Sequence, residues 1–435
     1  MLDIQFIREN AELVQEKSAQ KGYKVDIAQL LELDTERRTR LTQIEELRAR
    51  RNTLSAEMKG QKPSDEQLAV GKQLKEELAA REEELKVIEE KYTAQLHAVP
   101  NMPLEDVPVG ATEDENVVAK TVGEPTQFDF TPLHDYQLGA EDALDLIDKE
   151  RAAKIAGSRF AYLKGGLVRM QFAIVQFAMD TLGNEEILQK LINENGLTIP
   201  AKPFVPIIPP AVLRTEPYVA SARLNAEEVT YKIEQDDLWL NASAEHTLCT
   251  MYWNEILPED MLPVRYIGYS TSFRREAGTY GKDMEGIFRM HQFDKLEMEV
   301  ISTGETGLQE HKLLVAIQEY LVAQLGLPYR LINKCTADIG KPNASGFDID
   351  CWFPGQGNYR ETHTADYMTD YQTRDLKIRT RRSRTGEVEL THTNDATCFA
   401  LGRTLKAILE NCQTKDGHVT VPEVLRPYMG GRETI

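Results

Sequence analysis

The stretch from residue 272 to 297, SFRREAGTYGKDMEGIFRMHQFDKLE, concentrates side chains that could do chemistry. Residues two apart share one face of a β-strand, so Arg274 and Glu276 face the same way. The same spacing aligns a second set, namely Arg289, His291, Phe293, Lys295 and Glu297. A glycine-containing polar loop, AGTYGKDMEG, separates the two sets, which predicts a hairpin. The hairpin face is either a solvated surface of mixed charges or a ligand platform.

Further polar side chains recur at strand spacing or at a helix start. They are Ser243 with Glu245, Glu361 with His363, and Thr397 ahead of Arg403. Arginines hold phosphoryl oxygens in bidentate fashion and neutralise charge that develops at an α-phosphorus. An aromatic ring can stack on a purine, and a carboxylate with Mg²⁺ can bridge phosphates. The set therefore suits a nucleoside triphosphate beside a substrate that carries an amine.

Signatures of other chemistry are missing from the sequence: GxxxxGK(S/T), GxGxxG after a strand, HExxH and GxSxG. The five cysteines lack CxxC spacing, so we expect neither a disulfide framework nor a structural zinc. The acidic amino terminus does not resemble a signal peptide, and Arg169 interrupts the longest apolar stretch. We therefore expect a cytoplasmic protein without a membrane segment. The net charge of −19 argues against non-specific wrapping of nucleic acid, but it allows a local basic surface.

The element that precedes these residues is predicted to be a helical arm. Apolar residues recur at steps of three, four and seven over residues 30–58 and again over 74–92, which is coiled-coil spacing. The polar turn KGQKPSD between them predicts an antiparallel hairpin. The first limb, residues 35–62, holds eight Lys or Arg against four Asp or Glu, and the second limb, 64–96, holds five against nine. The basic limb is either a solvated face or a phosphate-binding rod, and its arginines are Arg37, Arg38, Arg40, Arg48, Arg50 and Arg51.

A proline-punctuated linker near residues 99–118 separates the arm from a mixed region. There, DALDLIDKERAAKIAG and GLVRMQFAIVQFAMDTLG look helical, and DATCFALGRTLKAILENCQ ends as a helix. The segments VRYIGYSTSFRRE, GIFRMHQFDKLEMEV, FDIDCWFP and RDLKIRTRR look like strands. Few regular βα alternations are present, so we predict an α+β fold, with an antiparallel sheet flanked by helices.

These motifs resemble the class II aminoacyl-tRNA synthetases. FRREAGTYGKDMEGIFRMHQF resembles their motif 2, ALGRTLKAILEN resembles motif 3, and VPIIPP resembles motif 1 with its dimer-interface proline, here Pro209. Within that class, MLDIQFIREN, the coiled-coil arm, RFAYLKG, RMHQFDKLE, FDIDCWFP and VPEVLRPYMGG follow the order of the seryl-tRNA synthetase family, so the resemblance spans essentially the whole chain. It implies a tRNA-binding arm at 1–110 and a catalytic domain at 111–435, with motif 1 near 203–210, motif 2 at 273–297 and motif 3 at 394–413.

The resemblance implies that serine and ATP form seryl-adenylate, and that the seryl group then passes to tRNA(Ser). Whether tRNA(Sec) is also a substrate stays open. The catalytic residues it implies are Arg274, Arg403 and Glu361. The implied ATP-binding residues are Arg274, Arg275, Glu276, Arg289, Met290, Phe293, Glu361, Thr362, His363, Thr364 and Arg403. The implied serine-binding residues are Ser243, Ala244, Glu245, Arg274, Glu297 and Thr397.

The same resemblance implies the ion and the macromolecular partners. Glu361 and Thr364 would hold Mg²⁺ with ATP. The six arginines of the first limb would contact the backbone of the tRNA, chiefly on its long variable arm. Motif 1 implies a homodimer.

The chain departs from the family pattern at the amino-acid pocket. Ser243 stands where a threonine is usual, which removes only a methyl group, and Asp395 stands where an asparagine amide is expected. Asp375 occupies a position where a second arginine is common. Two alternatives therefore stay open: an enzyme that makes seryl-adenylate for an acceptor other than tRNA, and a non-catalytic tRNA-binding or coiled-coil protein.

Overall fold

The computed structural model describes residues 1–59, 64–224, 230–276 and 285–435. The chain divides into two compact units, Met1–Met102 and Pro103–Ile435. The boundary predicted at residue 110 therefore falls inside the second unit. Most of the predicted hairpin loop AGTYGKDMEG lies outside the described residues.

The first unit is a hairpin of two long helices preceded by two short ones. Its helices are α1 (Ile4–Glu9), α2 (Ala11–Gln20), α3 (Ile27–Glu57) and α4 (Asp65–Ala98). Asp26 caps the start of α3 by accepting from the Gln29 N–H, and Ser64 with Gln67 forms a capping box at the start of α4. The buried seam between the long helices contains Ile44, Leu47, Leu74 and Leu78. The predicted coiled-coil hairpin is confirmed.

The second unit contains the remaining helices and strands. In chain order they are β1 (Val117–Val122), α5 (Asp135–Leu138), β2 (Ile147–Asp148), α6 (Lys149–Ala156), β3 (Tyr162–Leu163), α7 (Gly165–Leu182), α8 (Glu185–Glu194), β4 (Val205–Ile207), β5 (Val212–Arg214), α9 (Thr215–Ala220), β6 (Lys232–Ile233), β7 (Leu238–Leu240), α10 (Glu245–Leu248), β8 (Ile256–Pro258), β9 (Val264–Phe273), β10 (Gln292–Ser302), α11 (Gly307–Gln324), β11 (Tyr329–Asn333), β12 (Ser345–Phe353), β13 (Asn358–Thr369), α12 (Tyr371–Leu376), β14 (Arg379–Arg381), β15 (Val388–Leu390), β16 (His392–Ala400) and α13 (Leu401–Asn411). Within the described residues, no helix is both long and apolar enough to cross a bilayer.

An eight-stranded sheet organises this unit. Its strand order is β1-β11-β12-β13-β16-β10-β9-β4. Every neighbouring pair is antiparallel except β4 with β9, which is parallel. Helices α11 and α13 pack on the strands and share one apolar core with α7 and α8. The predicted antiparallel sheet with flanking helices is therefore confirmed.

Two of the predicted strands differ from the observed elements. Residues 285–291 are not strand; β10 begins only at Gln292, because the Ile287 N–H donates to Asp135 Oδ2 (2.8 Å) instead of to a neighbouring strand. The segment RDLKIRTRR begins inside helix α12, whose Arg374 pairs with Asp370 one turn earlier, and becomes strand only at β14. In both places a contact to an earlier residue overrides the local pattern.

Candidate active site

A cleft opens in the second unit between the β9–β10 hairpin, β13 and the first turn of α13. Its empty volume is about 630 Å³. Ten of the predicted site residues line it: Arg274, Glu276, Arg289, Met290, Phe293, Glu361, Thr362, Thr364, Thr397 and Arg403. The remaining lining residues are Ile287, Phe288, Lys295, Ala400 and Gly402. Positions that are more than a hundred residues apart in the chain thus meet at one site.

Arg274 is held where strand β9 ends. Its backbone N–H donates to the carbonyl of His291 (2.9 Å), which keeps the two limbs of the hairpin together beyond their last strand pair. The Arg274 Nε donates to the carbonyl of Ala242 (3.1 Å). Its guanidinium carbon lies 5.4 Å from the centroid of the Phe293 ring. These contacts fix a guanidinium next to an aromatic face, a geometry that suits a nucleotide.

Two arginine–carboxylate pairs line the cleft. Arg289 Nη1 lies 2.7 Å from Glu276 Oε2. Arg403 Nη1 donates both to Glu361 Oε1 (2.8 Å) and to the Glu361 carbonyl (3.0 Å). The Glu361 side chain is half exposed, and the protein around it acts to raise its pKa by desolvation, but Arg403 and then Lys334 outweigh this effect, so the pKa is lowered. Glu361 is therefore an ionised carboxylate at neutral pH.

A β-bulge in β13 decides which of its side chains reach the cleft. On β12, Ile349 and Asp350 are consecutive, but their partners on β13 are His363 and Glu361. Thr362, which lies between those partners, is therefore the extra residue of the bulge. Glu361 and Thr364 both line the cleft as a result, although they are three positions apart. The prediction that Glu361 and His363 share a face is wrong for the same reason. The His363 ring is buried and lies 5.5 Å from that of Phe399.

Lys334 reaches Thr364 from β11 and its following turn. Its Nζ donates to Thr364 Oγ1 (2.7 Å) and to Asp366 Oδ1 (2.9 Å), and it lies 3.2 Å from Asp348 Oδ1. Burial raises the pKa of Asp348 to about 7, even though Lys334 acts in the opposite direction. A buried ammonium thus sits among two carboxylates and one of the predicted magnesium ligands.

Most of the predicted serine-binding side chains meet behind the cleft wall. Ser243 Oγ donates to Glu245 Oε2 (3.0 Å) and to Glu297 Oε2 (3.2 Å). Lys295 Nζ donates to Ser243 Oγ (3.0 Å) and forms an ion pair with Glu297. Burial raises the pKa of Glu297 to about 7, with Lys295 opposing and Glu245 adding to the rise. Thr397 faces this cluster, because it is the cross-strand partner of Glu297.

Asp395, which stands where the family pattern has an asparagine, is paired with a cation. Arg223 forms an ion pair with Asp395 and lies 3.7 Å from Glu245 Oε1. Burial acts to raise the pKa of Glu245, but Arg223 and then Lys295 outweigh it, so this pKa lies well below its usual value. The carboxylate oxygens of Glu245, Glu297 and Asp395 lie within 4.8 Å of one another, a spacing that could hold a metal ion. Arg223 and Lys295 supply the positive charge there.

A second cavity adjoins the cleft on the side of this cluster. Its empty volume is about 910 Å³, and it shares Arg274, Lys295, Glu361 and Thr364 with the cleft. Its other lining residues are Arg223, Ala242, Glu245, His246, Lys334, Asp338, Gly340, Asn343, Asp348 and Asp366. The two cavities meet at Arg274, and their charged side chains could bind a phosphate on one side and an amine on the other.

Some predicted residues lie away from both cavities. The guanidinium of Arg275 lies 5.8 Å from the Tyr231 ring. Ser243, Ala244 and Glu297 are fully buried. In the part of the chain that the structure describes, none of these four residues, nor His363, lines either cavity.

Three basic residues of the site were not assigned a role from the sequence. Lys295 shares the face of Phe293 and Glu297, and that spacing could have identified it. Lys334 and Arg223 carry no such signal, because their partners Thr364 and Asp395 lie 30 and 172 positions further along the chain.

The arginines of the arm fall into two groups. Three pair with carboxylates of α4: Arg37 with Glu89 (3.7 Å), Arg40 with Glu84 (3.0 Å) and Arg48 with Glu82 (2.7 Å). The other three, Arg38, Arg50 and Arg51, are exposed and form no ion pair within the described residues. The first group can stabilise the hairpin, while the second can meet a polyanion.

Comparison with known proteins identifies the class. Residues 230–412 match the family model "tRNA synthetase class II core domain (G, H, P, S and T)". Residues 1–103 match the model "Seryl-tRNA synthetase N-terminal domain". The fold and the cleft thus define a class II aminoacyl-tRNA synthetase with the amino-terminal domain of one particular family.

Full-length relatives make that family explicit. The chain is 39% identical over 438 residues to a serine–tRNA ligase of Thermodesulfovibrio yellowstonii, with 99% of each chain covered. It is also similar to the crystal structure of seryl-tRNA synthetase from Pyrococcus horikoshii complexed with ATP (TM-score 0.86, 36% identity, 100% and 99% covered). The serine–tRNA ligase of Naegleria fowleri in complex with AMP gives a TM-score of 0.83 at 30% identity, with 100% and 98% covered. The chain belongs to the seryl-tRNA synthetase family.

Proposed function

We propose that this protein is a serine–tRNA ligase: it activates L-serine with ATP to seryl-adenylate and transfers the seryl group to tRNA(Ser). The observation that carries the proposal is the position of Arg274, which lines both cavities. One guanidinium can therefore contact a phosphate from the first cavity and a carboxylate from the second. That is the arrangement that joining an amino acid to a nucleotide requires.

ATP occupies the first cavity in this proposal. Phe293, next to Met290, stacks on the adenine, and Glu276 accepts from its exocyclic amine. Arg289 and Arg403 grip the β- and γ-phosphates, because a guanidinium binds phosphoryl oxygens in bidentate fashion. Both arginines are already paired with carboxylates of the cleft. When ATP binds, its phosphates replace one anionic partner of each arginine with another.

Mg²⁺ bound with ATP fits the donors that are present. This ion takes oxygen ligands and keeps several waters. Glu361 offers a carboxylate and Thr364 a hydroxyl on the wall of one cleft. Arg403 and Lys334 already donate to these oxygens, so the ion would share its protein ligands with two cations. When bound, Mg²⁺ neutralises phosphate charge.

Serine occupies the second cavity, with its ammonium near Glu245 and its hydroxyl towards Thr397, which lines the adjoining cleft and has the buried Glu297 as its cross-strand partner. Its carboxylate oxygen attacks the α-phosphorus in line; the new P–O bond forms as the bond to the bridging oxygen breaks, and pyrophosphate leaves. Arg274 stabilises the charge that develops on the phosphoryl oxygens. Positioning and charge neutralisation suffice for such a displacement, so no general base is required.

Transfer to tRNA uses the arm, proposed to span residues 1–110. Arg38, Arg50 and Arg51 are exposed and suited to the phosphate backbone. The exposed basic limb favours a tRNA acceptor over another acceptor, and the phosphate-binding arginines favour an enzyme over a non-catalytic RNA-binding protein. The catalytic domain is proposed to span residues 111–435.

A homodimer and a cytoplasmic location complete the proposal. Strand β4 forms one edge of the main sheet. Val205 at its start and Ile208 directly after it are 55% and 80% exposed, which suits a partner subunit. Pro209, the proline expected at that interface, is itself buried within the subunit, so its exposed neighbours would make the contact. All five cysteines are free, which suits a reducing compartment.

A charging assay tests the proposal. Labelled serine, ATP, Mg²⁺ and total tRNA are incubated with the protein, and the RNA is then analysed for serine esterified at the terminal ribose. We expect charging of tRNA(Ser) alone among the canonical acceptors. Adenylate formation without charging would favour the non-tRNA acceptor, and neither reaction would favour the non-catalytic RNA-binding protein.

A further inference from the structure

The proposed function leaves open the role of Arg223, a charged residue at the amino-acid site. This residue follows helix α9 and lines the second cavity together with Glu245 and Lys295. Its guanidinium pairs with Asp395 on β16 and lies 3.7 Å from Glu245 at the start of α10. Its Nε is buried and has no hydrogen-bond partner within the described residues. One cation therefore joins two carboxylates that belong to different elements.

The environment of Arg223 is rich in buried carboxylates. Glu245, Glu297, Glu299 and Asp395 are all buried, and Glu299 is the cross-strand partner of Asp395. Neither carboxylate oxygen of Glu299 has a hydrogen-bond partner in the described part of the chain. Lys295 neutralises charge beside Glu297, but the Asp395 end of the cluster depends on Arg223.

We propose that Arg223 is a positioning residue of the amino-acid pocket, with Asp395 as its anchor. Arg223 holds the Glu245 carboxylate in the orientation that receives the α-ammonium of the amino acid, and Asp395 fixes Arg223 for that task. The two residues act as one unit, and the inference rests on the proposed function. Asp395 thus works through Arg223 and does not itself touch the substrate.

The unit has a definite energetic consequence. Removal of one partner leaves the other as a buried uncompensated charge, whereas replacement of both by neutral amides leaves a pair that can hydrogen-bond without charge. Because Asp395 acts only through Arg223, the double change should damage serine binding about as much as Arg223→Gln alone, and far less than the two single effects combined. ATP binding should be unaffected, because Arg223 does not line the first cavity.

The test is a double-mutant cycle read by serine-dependent ATP–pyrophosphate exchange. The variants are Arg223→Gln, Asp395→Asn and both together, with Arg223→Lys as the conservative change. Each single variant should raise the KM for serine about tenfold or more, while the KM for ATP stays within about twofold. The double variant should raise it far less than the product of the singles, and Arg223→Lys should retain most of the affinity.

Three results would overturn the inference. They are a KM for serine that Arg223→Gln leaves within twofold of the wild type, single effects that multiply in the double variant, or an equal rise in the KM for ATP. If Arg223→Gln does not fold, as judged by thermal unfolding, Asp395→Asn alone carries the test: a KM for serine within twofold of the wild type would overturn the inference. Wild-type exchange with serine is measured first; its absence would contradict the proposed function itself, and this inference with it.

Discussion

The ammonium of Lys334 donates a 2.7 Å hydrogen bond to Thr364 Oγ1, a hydroxyl on the wall of the cleft that is proposed to bind ATP. The same ammonium pairs with Asp366 and Asp348, and all three charged groups are buried. Removing one member of such a buried ionic group destabilises the fold, because the remaining charges are left buried without a partner. Lys334 therefore both contacts the wall of the cleft and stabilises the sheet that forms it.

Replacing Lys334 by methionine should destabilise the fold by about 3–5 kcal/mol at pH 8. The pKa of Asp348 is already raised to about 7. Below pH 7 this carboxyl is protonated and no longer needs a cation, so the deficit should shrink at pH 6. Urea unfolding at the two pH values measures the effect. The matched double change Lys334→Met with Asp366→Asn should recover part of the loss, and an unchanged midpoint in the single variant would contradict the account.

Replacing Arg274 by alanine should lower the rate of adenylate formation by about a hundredfold to a thousandfold, because a preorganised donor to the transition state is lost. Pyrophosphate exchange at saturating serine and ATP measures this rate. The matched control is Arg151→Ala, which removes an exposed arginine on α6 and should leave the rate unchanged. Full activity of the Arg274 variant would remove it from the mechanism.

Serine affinity should depend on pH through Glu297. Its pKa is raised to about 7, so this carboxyl is protonated below pH 7 and ionised above it. At pH 6 only about a tenth of the groups are ionised, and the KM for serine should be about tenfold higher than at pH 8. The KM for ATP serves as the internal comparison. Glu297→Gln should bind serine weakly at every pH; a dependence that survives this change would belong to another group.

The arginines of the arm that form no ion pair should contribute most to tRNA binding. Converting Arg38, Arg50 and Arg51 together to alanine should weaken tRNA binding and reduce the slope of log affinity against log salt by about 0.7–0.9 for each phosphate that is no longer neutralised. Exchange without tRNA should not change. Filter binding at several salt concentrations measures the slope. The triple change Lys72, Lys75 and Lys86 to alanine removes the same charge from α4 and should have a smaller effect; equal effects would contradict a specific role for the first limb.

The sequence predicts the hairpin that carries Arg274 and Phe293, because its alternation and its glycine-containing loop are local signals. The sequence also predicts the coiled-coil arm, because the apolar seam repeats over two long segments. Its ion pairs could not be assigned beforehand, because the register between α3 and α4 decides which arginines meet a carboxylate. Local periodicity is thus enough to predict these helices and strands, but it does not predict which charged side chains form ion pairs.

Three features of the site depend on structure that no local pattern encodes. The bulge in β13 turns His363 away from the cleft and brings Thr364 to it. The contact of Ile287 with Asp135 accompanies the late start of the predicted strand, which begins only at Gln292. Asp395 looks like an unexplained charge in the sequence, and only the fold shows that Arg223, 172 positions earlier, is its partner.

The most direct test of the central claim is ATP–pyrophosphate exchange without tRNA, run separately with serine, threonine and alanine. The pocket is proposed to bind the serine hydroxyl through Glu297 and Thr397, so alanine leaves buried polar groups unpaired and should be rejected strongly. Threonine differs only by a methyl group and should be rejected less. We predict exchange with serine well above both analogues. Exchange with none of the three amino acids would contradict the account.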